Sequence, residues 1–298
     1  MVRNMKKFRD KLKDGKFVFT TEIGPPKGVH MDDIFRELDH IAGRVDAVNV
    51  TDQQSAIMRL GSVAASKALI DKGFEPICQF TCRDRNRIAL QSDLLSASLL
   101  GIENILIMTG DHPLLGDHPQ AKPVYDLDSV SLLKAVESLG KGFDLSGRKL
   151  DGSPDFCVGA VVNPGADPLE PEIIKMEKKI ACGAVFFQTQ AIFNIKLFEN
   201  FIKSIKHLRS GIKILGGVVP LKSAGMARYM NANIPGVFIP EDIVEKMEKA
   251  SDVSERSAEI AANIVGEIRG MCDGIHFMPI RANHLVRKIL DKLDGVAE

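Results

Sequence analysis

The chain has 298 residues, 45% of them hydrophobic, and its 39 Lys and Arg balance 39 Asp and Glu. That composition suits a globular protein. Zero net charge and the absence of Trp argue against nucleic-acid binding by bulk electrostatics or by stacking, and no apolar run approaches the ~18 residues of a membrane span. Five scattered Cys make no disulfide framework and fit a reducing, cytoplasmic setting.

In chain order, residues 1–16 are basic but carry no apolar h-region, so they predict an N-terminal helix or cap rather than a secretory signal. Short, β-branched, nearly continuous apolar runs then alternate with amphipathic stretches. Residues 17–23 predict a strand, and 31–42 a helix with Ile34, Leu38 and Ile41 on one face. Strands at 46–51, 76–81 and 104–109 alternate with helices at 57–72 and 86–100. An insertion at 111–127 precedes a helix at 129–139, with Asp128 or Ser129 as its cap. A Gly-, Asp- and Ser-containing stretch at 141–155 reads as a turn or small hairpin. Strands at 156–162, 184–190 and 213–219 are separated by helices at 170–181 and 195–209. Two helices, 241–249 and 254–269, lead to a last strand at 274–278 and a last helix at 283–293.

Eight βα units without a linker predict an α/β protein of one domain over 1–298, a closed (β/α)8 TIM barrel. A doubly wound open sheet shares the same βαβ unit and is the competing architecture. In a barrel, 111–127 lies on the C-terminal, active face and 141–155 on the opposite face.

Active sites of such barrels gather at the C-terminal strand ends. Those ends carry Glu22, Thr51, Thr81, Thr109-Gly110-Asp111, Asn163, Gln188, Gln190 and Arg281. No nucleophile elbow, dinucleotide fingerprint or phosphate loop appears. Glu22, in Thr20-Thr21-Glu22-Ile23-Gly24-Pro25-Pro26, is a carboxylate closing an apolar strand. Desolvation there favours the protonated form and suits it to general acid chemistry. The competing reading is a bridge to Lys27 or Arg281. Gly110-Asp111 can bring backbone close to a ligand and set one negative charge there, or can simply form an Asx-turn. Cys78 and Cys82 would lie roughly 13 Å apart along a strand, too far to share an ion. His112 and His118 read as turn residues and His276 as a core or site-lining histidine, so no metal is expected.

The segments TTEIGPPKG, VNVT, FTCRDRNR, IMTGDHPLLGDHPQAKPVYDLDSV, VNPGADP and VFFQTQAIF, in this order at successive strand ends, resemble the methylenetetrahydrofolate reductase family. The resemblance implies a barrel with non-covalent FAD on its C-terminal face. It implies reduction of 5,10-methylenetetrahydrofolate to 5-methyltetrahydrofolate in two half-reactions through the flavin. Residue by residue, it makes Glu22 the general acid that opens the methylene bridge, and Asp111 the charge beside the flavin and the pterin. Gln190, Gln188 and Arg281 fall on the folate side. Thr51, Gln79, Thr109, Gly110, Asp111, Asp126, Asn163 and Lys179 fall where the family lines its flavin, Lys179 as a point charge for phosphates. Thr109 stands where several bacterial members have Arg, Asn163 where they have His, and Ala224 where some have a nicotinamide-stacking Phe. The reductant implied is therefore NAD(P)H or a partner electron-transfer subunit, in a homo- or hetero-oligomer. Two further readings remain: a subunit that needs a partner for flavin reduction, and a flavin-free pterin-binding methyltransferase component.

Overall fold

A computed structural model describes residues 6–280 and 282–295. Eight strands form the wall: β1 (Val18–Ile23), β2 (Ala47–Val50), β3 (Pro76–Thr81), β4 (Asn104–Met108), β5 (Cys157–Val162), β6 (Phe186–Ala191), β7 (Lys213–Val218) and β8 (Gly274–Phe277). Every neighbouring pair is parallel, and the order β1 to β8 closes on itself. The closing ladder runs from Val18↔Gly274 to Thr21↔Phe277, which excludes the open sheet. The helices are α1 (Phe8–Lys13), α2 (Asp32–Asp39), α3 (Ser62–Asp71), α4 (Arg87–Leu99), α5 (Ser129–Gly140), α6 (Glu170–Ala181), α7 (Ile195–Ser204), α8 (Ala224–Asn233), α9 (Glu241–Glu248), α10 (Val253–Ile268) and α11 (Asn283–Gly295). Among the described residues no helix is long and apolar enough to cross a membrane.

The alternation of strand side chains sorts the barrel into two environments. Outward residues such as Val48, Val50, Phe80, Ile105, Ile107, Phe187, Ile214 and Ile275 pack under the helices in one continuous apolar layer. Inward residues at the N-terminal end (Val18, Ala47, Ile77, Leu106, Cys157, Phe186 and Leu215) form a separate apolar plug with Phe8 and Leu12 of α1. Phe8 is fully buried and meets the Phe186 ring edge-on at 5.4 Å. Glu75 fixes this short helix by accepting from the Phe8 N–H at 3.0 Å and from Asn104 Nδ2 at 2.8 Å. The near-continuous apolar character read from the strands therefore holds on the helix side. Further up the interior it gives way to Thr20, Glu22, Asn49, Gln188 and His276, all buried.

The strand bounds match the sequence reading to within two residues. Three helical expectations change. Residues 57–61 are not helical, because the Arg59 N–H donates to Gln53 Oε1 at 2.6 Å and the Met58 N–H to Asp117 Oδ1 at 3.0 Å. Loop side chains thus take backbone donors that a helix would need. The stretch 195–209 breaks after Ser204 into a short 3-10 turn at Lys206–Leu208. Helix α8 was not anticipated. Its sequence AGMARYMNAN buries only Ala227 and Met230, leaving little apolar period to read, and Ser223 caps it by accepting from the Met226 N–H. The segment 141–155 folds back with an antiparallel bridge between Phe143 and Lys149. There Asp144 Oδ1 accepts from the N–H groups of Ser146 and Arg148.

Candidate active site

The parallel wall brings all eight C-terminal strand ends to one mouth. Glu22 points inward near the top of β1, with its side chain 10% exposed. One of its oxygens, Oε2, lies 3.7 Å from His276 Nε2 on the neighbouring strand β8. The other, Oε1, accepts from Gln54 Nε2 at 3.2 Å. The far nitrogen of the His276 ring, Nδ1, is 3.0 Å from Thr20 Oγ1, two residues below Glu22 on the same face of β1. Lys27, one of the two cations weighed as a partner of Glu22, instead pairs with Asp117. Arg281, the other, lies outside the described residues.

Across the barrel, Asn49 and Gln188 form a reciprocal amide pair. Asn49 Nδ2 donates to Gln188 Oε1 at 2.7 Å, and Gln188 Nε2 donates to Asn49 Oδ1 at 3.1 Å. Gln188 is thus fixed to the wall of the interior. Gln79, on β3, is buried and faces the same interior, since Ile77, two residues back, does so. Gln190 is half-buried at the rim, beyond a register shift in β6, and its Oε1 accepts from the Ala191 N–H at 3.0 Å. Thr51, at the end of β2, is buried, and its hydroxyl has no hydrogen-bond partner among the described residues.

The β4 end turns sharply. Gly110 has φ +87°, and a Cβ there would come within 2.9 Å of Thr81 Cβ, so the position admits only glycine without rearrangement. Asp111 follows at the exposed rim. The fold grips its backbone: Arg83 NH1 donates to the Asp111 carbonyl at 3.2 Å, and Tyr125 OH to the Gly110 carbonyl at 3.2 Å. Arg83 is itself buried, with its Nε 2.9 Å from Asp84. Next to it, Asp52 Oδ2 accepts from both the N–H and the hydroxyl of Thr81, at 2.8 and 2.9 Å, and from Arg85. This Asp52–Arg83–Arg85 frame under the Gly110 turn was missed in the sequence. The Arg residues stood in view in FTCRDRNR, but their partner Asp52 is some thirty positions away and had no local signal.

The remaining flavin-side candidates are spread more widely. Thr109 is half-buried at the rim, and its carbonyl accepts from the Cys82 N–H at 3.1 Å. Asn163, at the end of β5, is clasped by the loop after α8, donating to the Pro235 carbonyl at 3.3 Å and accepting from the Gly165 N–H at 3.1 Å. Asp126 sits over the start of α4, held by the Arg87 guanidinium at 2.9 Å and by the Arg87 N–H at 2.8 Å. These contacts keep its carboxyl well below the usual carboxylate range. Lys179 lies between α6 and β5, almost fully buried, donating to the Val161 carbonyl at 2.6 Å. The structure therefore gathers Glu22, Thr51, Gln79 and Gln188 inside the mouth, with Thr109, Gly110, Asp111, Asn163 and Gln190 around it. It sets Asp126 on the outer rim and Lys179 in the helix–strand layer.

Burial lowers the Lys179 ammonium to about 8. Between that value and the ordinary lysine range near 10.4, the folded protein has released a proton that the unfolded chain still binds. Stability then rises with pH across this window. Urea melts from pH 8 to 10.5 should show that rise in the parent protein and a flatter profile in Lys179→Met.

A closed parallel barrel with a carboxylate, an imidazole and amides converging at its C-terminal mouth defines a (β/α)8 barrel of the enzyme type. The family model for methylenetetrahydrofolate reductase matches residues 7–294, and the chain belongs to that family. It is 24% identical to methylenetetrahydrofolate reductase 2 of Schizosaccharomyces pombe, over 94% of this chain and 46% of the relative. It is 23% identical to 5,10-methylenetetrahydrofolate reductase of Escherichia coli, over 84% of this chain and 80% of that one. The chain thus spans about half the length of the fission-yeast relative. Among solved structures, a Clostridium thermocellum protein described as binding two copies of 5-methyl-5,6,7,8-tetrahydrofolic acid shares the fold. Its TM-score is 0.66 at 16% identity, covering 97% of this chain and 99% of the other.

Proposed function

We propose that the chain reduces 5,10-methylenetetrahydrofolate to 5-methyltetrahydrofolate, with FAD held at the C-terminal mouth and the two half-reactions taken in turn. The observation that carries this reading is Glu22, a nearly buried carboxyl set at the mouth of a barrel of this family, with Gln54 bonded to one oxygen and the His276 ring 3.7 Å from the other. Family membership and the shared fold with a protein described as binding a methylfolate support the substrate class.

The residues present fit a flavin. The Thr51 hydroxyl is a buried polar group without a partner among the described residues, a condition that a ligand's polar edge would relieve. The Gly110 turn brings backbone to the rim beside Asp111. Thr51, Gln79, Thr109, Gly110, Asp111 and Asn163 would hold the cofactor, with Asp126 and Lys179 as its more distant neighbours. Bound FAD would supply the hydride.

The chain's own residues handle protons and charge. Glu22 delivers a proton to the nitrogen that leaves as the methylene bridge opens, and the C–N bond breaks to give an iminium. His276, backed by Thr20, holds the Glu22 carboxyl in place for this transfer. The Asp111 charge at the rim stabilises the cation that develops on the folate. Gln190, at the rim on β6, supplies a side-chain amide for the pterin edge.

The test is anaerobic. Protein reconstituted with FAD should take up the flavin, and after chemical reduction the bleached cofactor should regain its colour on addition of 5,10-methylenetetrahydrofolate, with 5-methyltetrahydrofolate appearing in equal amount. Protein that takes up no flavin, or whose reduced flavin is left bleached by the folate, overturns the proposal. Comparing NADH, NADPH and a low-potential protein donor in the first half-reaction then identifies the reductant.

A further inference from the structure

The two oxygens of Glu22 have unlike neighbours: Oε1 accepts a hydrogen bond from Gln54 at 3.2 Å, whereas Oε2 stands 3.7 Å from His276 Nε2, beyond hydrogen-bond reach. His276 is buried on β8, at the closing seam of the barrel. Gln54 belongs to an exposed loop between β2 and α3. The Gln54 amide is the hydrogen bond that orients this carboxyl at rest, and the exposed loop residue is the neighbour able to withdraw when a substrate arrives.

That loop is held in an uncommon conformation. Gln53, Ser55 and Ala56 have φ of 52°, 57° and 56°, in the left-handed region that non-glycine residues seldom occupy. Such a turn persists only where its surroundings over-determine it. Here they do. The Gln53 side chain brackets the Arg59 backbone, accepting from its N–H at 2.6 Å and donating to its carbonyl at 3.1 Å. From above, the 111–127 insertion presses on the loop. Gly116 lies so close that a Cβ there would sit 1.8 Å from the Ala56 carbonyl oxygen. Asp117 ties the insertion to the Met58 N–H at 3.0 Å and to Lys27.

We propose that Gln54 is a positioning residue for Glu22, occupying Oε1 in the resting protein and releasing it when a folate enters. This rests on the functional reading above. The strained turn supplies the restoring bias, since the loop is held in place by contacts from the insertion rather than by its own backbone preference. Among the described residues, His276 faces Glu22 from β8, Asn49 of β2 and Thr51 just beyond it are uncharged, Asp52 is turned to Thr81 and Arg85, and Lys27 is turned to Asp117.

The experiment follows the Glu22 carboxyl carbon by NMR in apo protein labelled at glutamate, with Glu22→Gln assigning the signal. An amide donor polarises the carboxylate oxygen it bonds. Gln54→Ala should therefore move the Glu22 carboxyl-carbon resonance from its parent position at fixed pH. Calorimetry with 5-methyltetrahydrofolate should show about threefold tighter binding, because no resting contact has to be released. Ser55→Gly relaxes the turn but keeps the amide, and should leave the resonance where it is in the parent. A resonance unmoved by Gln54→Ala, in protein with the parent melting temperature, overturns the proposal. Failure of the parent to bind 5-methyltetrahydrofolate overturns instead the functional reading on which it rests.

Discussion

Glu22→Gln should abolish most folate reduction while leaving flavin uptake and flavin reduction intact. Glutamine keeps the size of the side chain and a hydrogen-bonding carbonyl, so packing at the end of β1 is preserved. It has no acid proton to give to the leaving nitrogen. General acids contribute about 10²–10⁴ in rate, and a loss of that order in the folate half-reaction is expected from stopped-flow measurement with pre-reduced enzyme. The reductive half-reaction, which needs no proton from Glu22, should change by less than about twofold. A variant that lost its flavin and still turned over folate would reverse the assignment.

The second large effect is structural. Asp52→Ala removes an acceptor that serves the Thr81 N–H, the Thr81 hydroxyl and Arg85 together. The Asp52 side chain is 4% exposed and that of Arg85 19%, so the variant leaves a cation with little solvent and a buried N–H unpaired. Breaking a buried pair on one side costs about 3–5 kcal/mol, and a loss in that range should lower the melting temperature of a chain this long by roughly 5–8 °C. Arg85 keeps a second carboxylate, Asp93, at 2.9 Å, which places the expected loss at the lower end. Asp52→Ala combined with Arg85→Met should recover much of the stability, since no unpaired charge remains. A double variant as unstable as the single one would show that the loss comes from packing and not from the ion pair.

How much of this was legible in the sequence follows from which interactions are local. The strands were legible because parallel strands covered by helices carry runs such as Asn104-Ile105-Leu106-Ile107 that stand out in any window. Their order at eight successive positions was enough to expect closure. Helix α8 was not, since a surface helix of small and amide residues has no apolar period. Glu22 was visible because a carboxylate among apolar neighbours breaks a local pattern. Gln54 and Asp52 break none: both lie in a polar loop, and their roles come from Glu22 and Arg85, each about thirty residues away. Lys179 shows the converse limit. A lysine at a matching position in the resemblance does not reveal where its amine points, and the carbonyl of Val161 is what it meets.

The seal formed by Phe8 and Leu12 beneath the barrel has a consequence for traffic. With one end stoppered by hydrocarbon, the polar part of the interior meets solvent at the C-terminal mouth. On the function proposed above, reductant and folate would both arrive from that side, so a shared entrance is the architectural setting in which they would take turns.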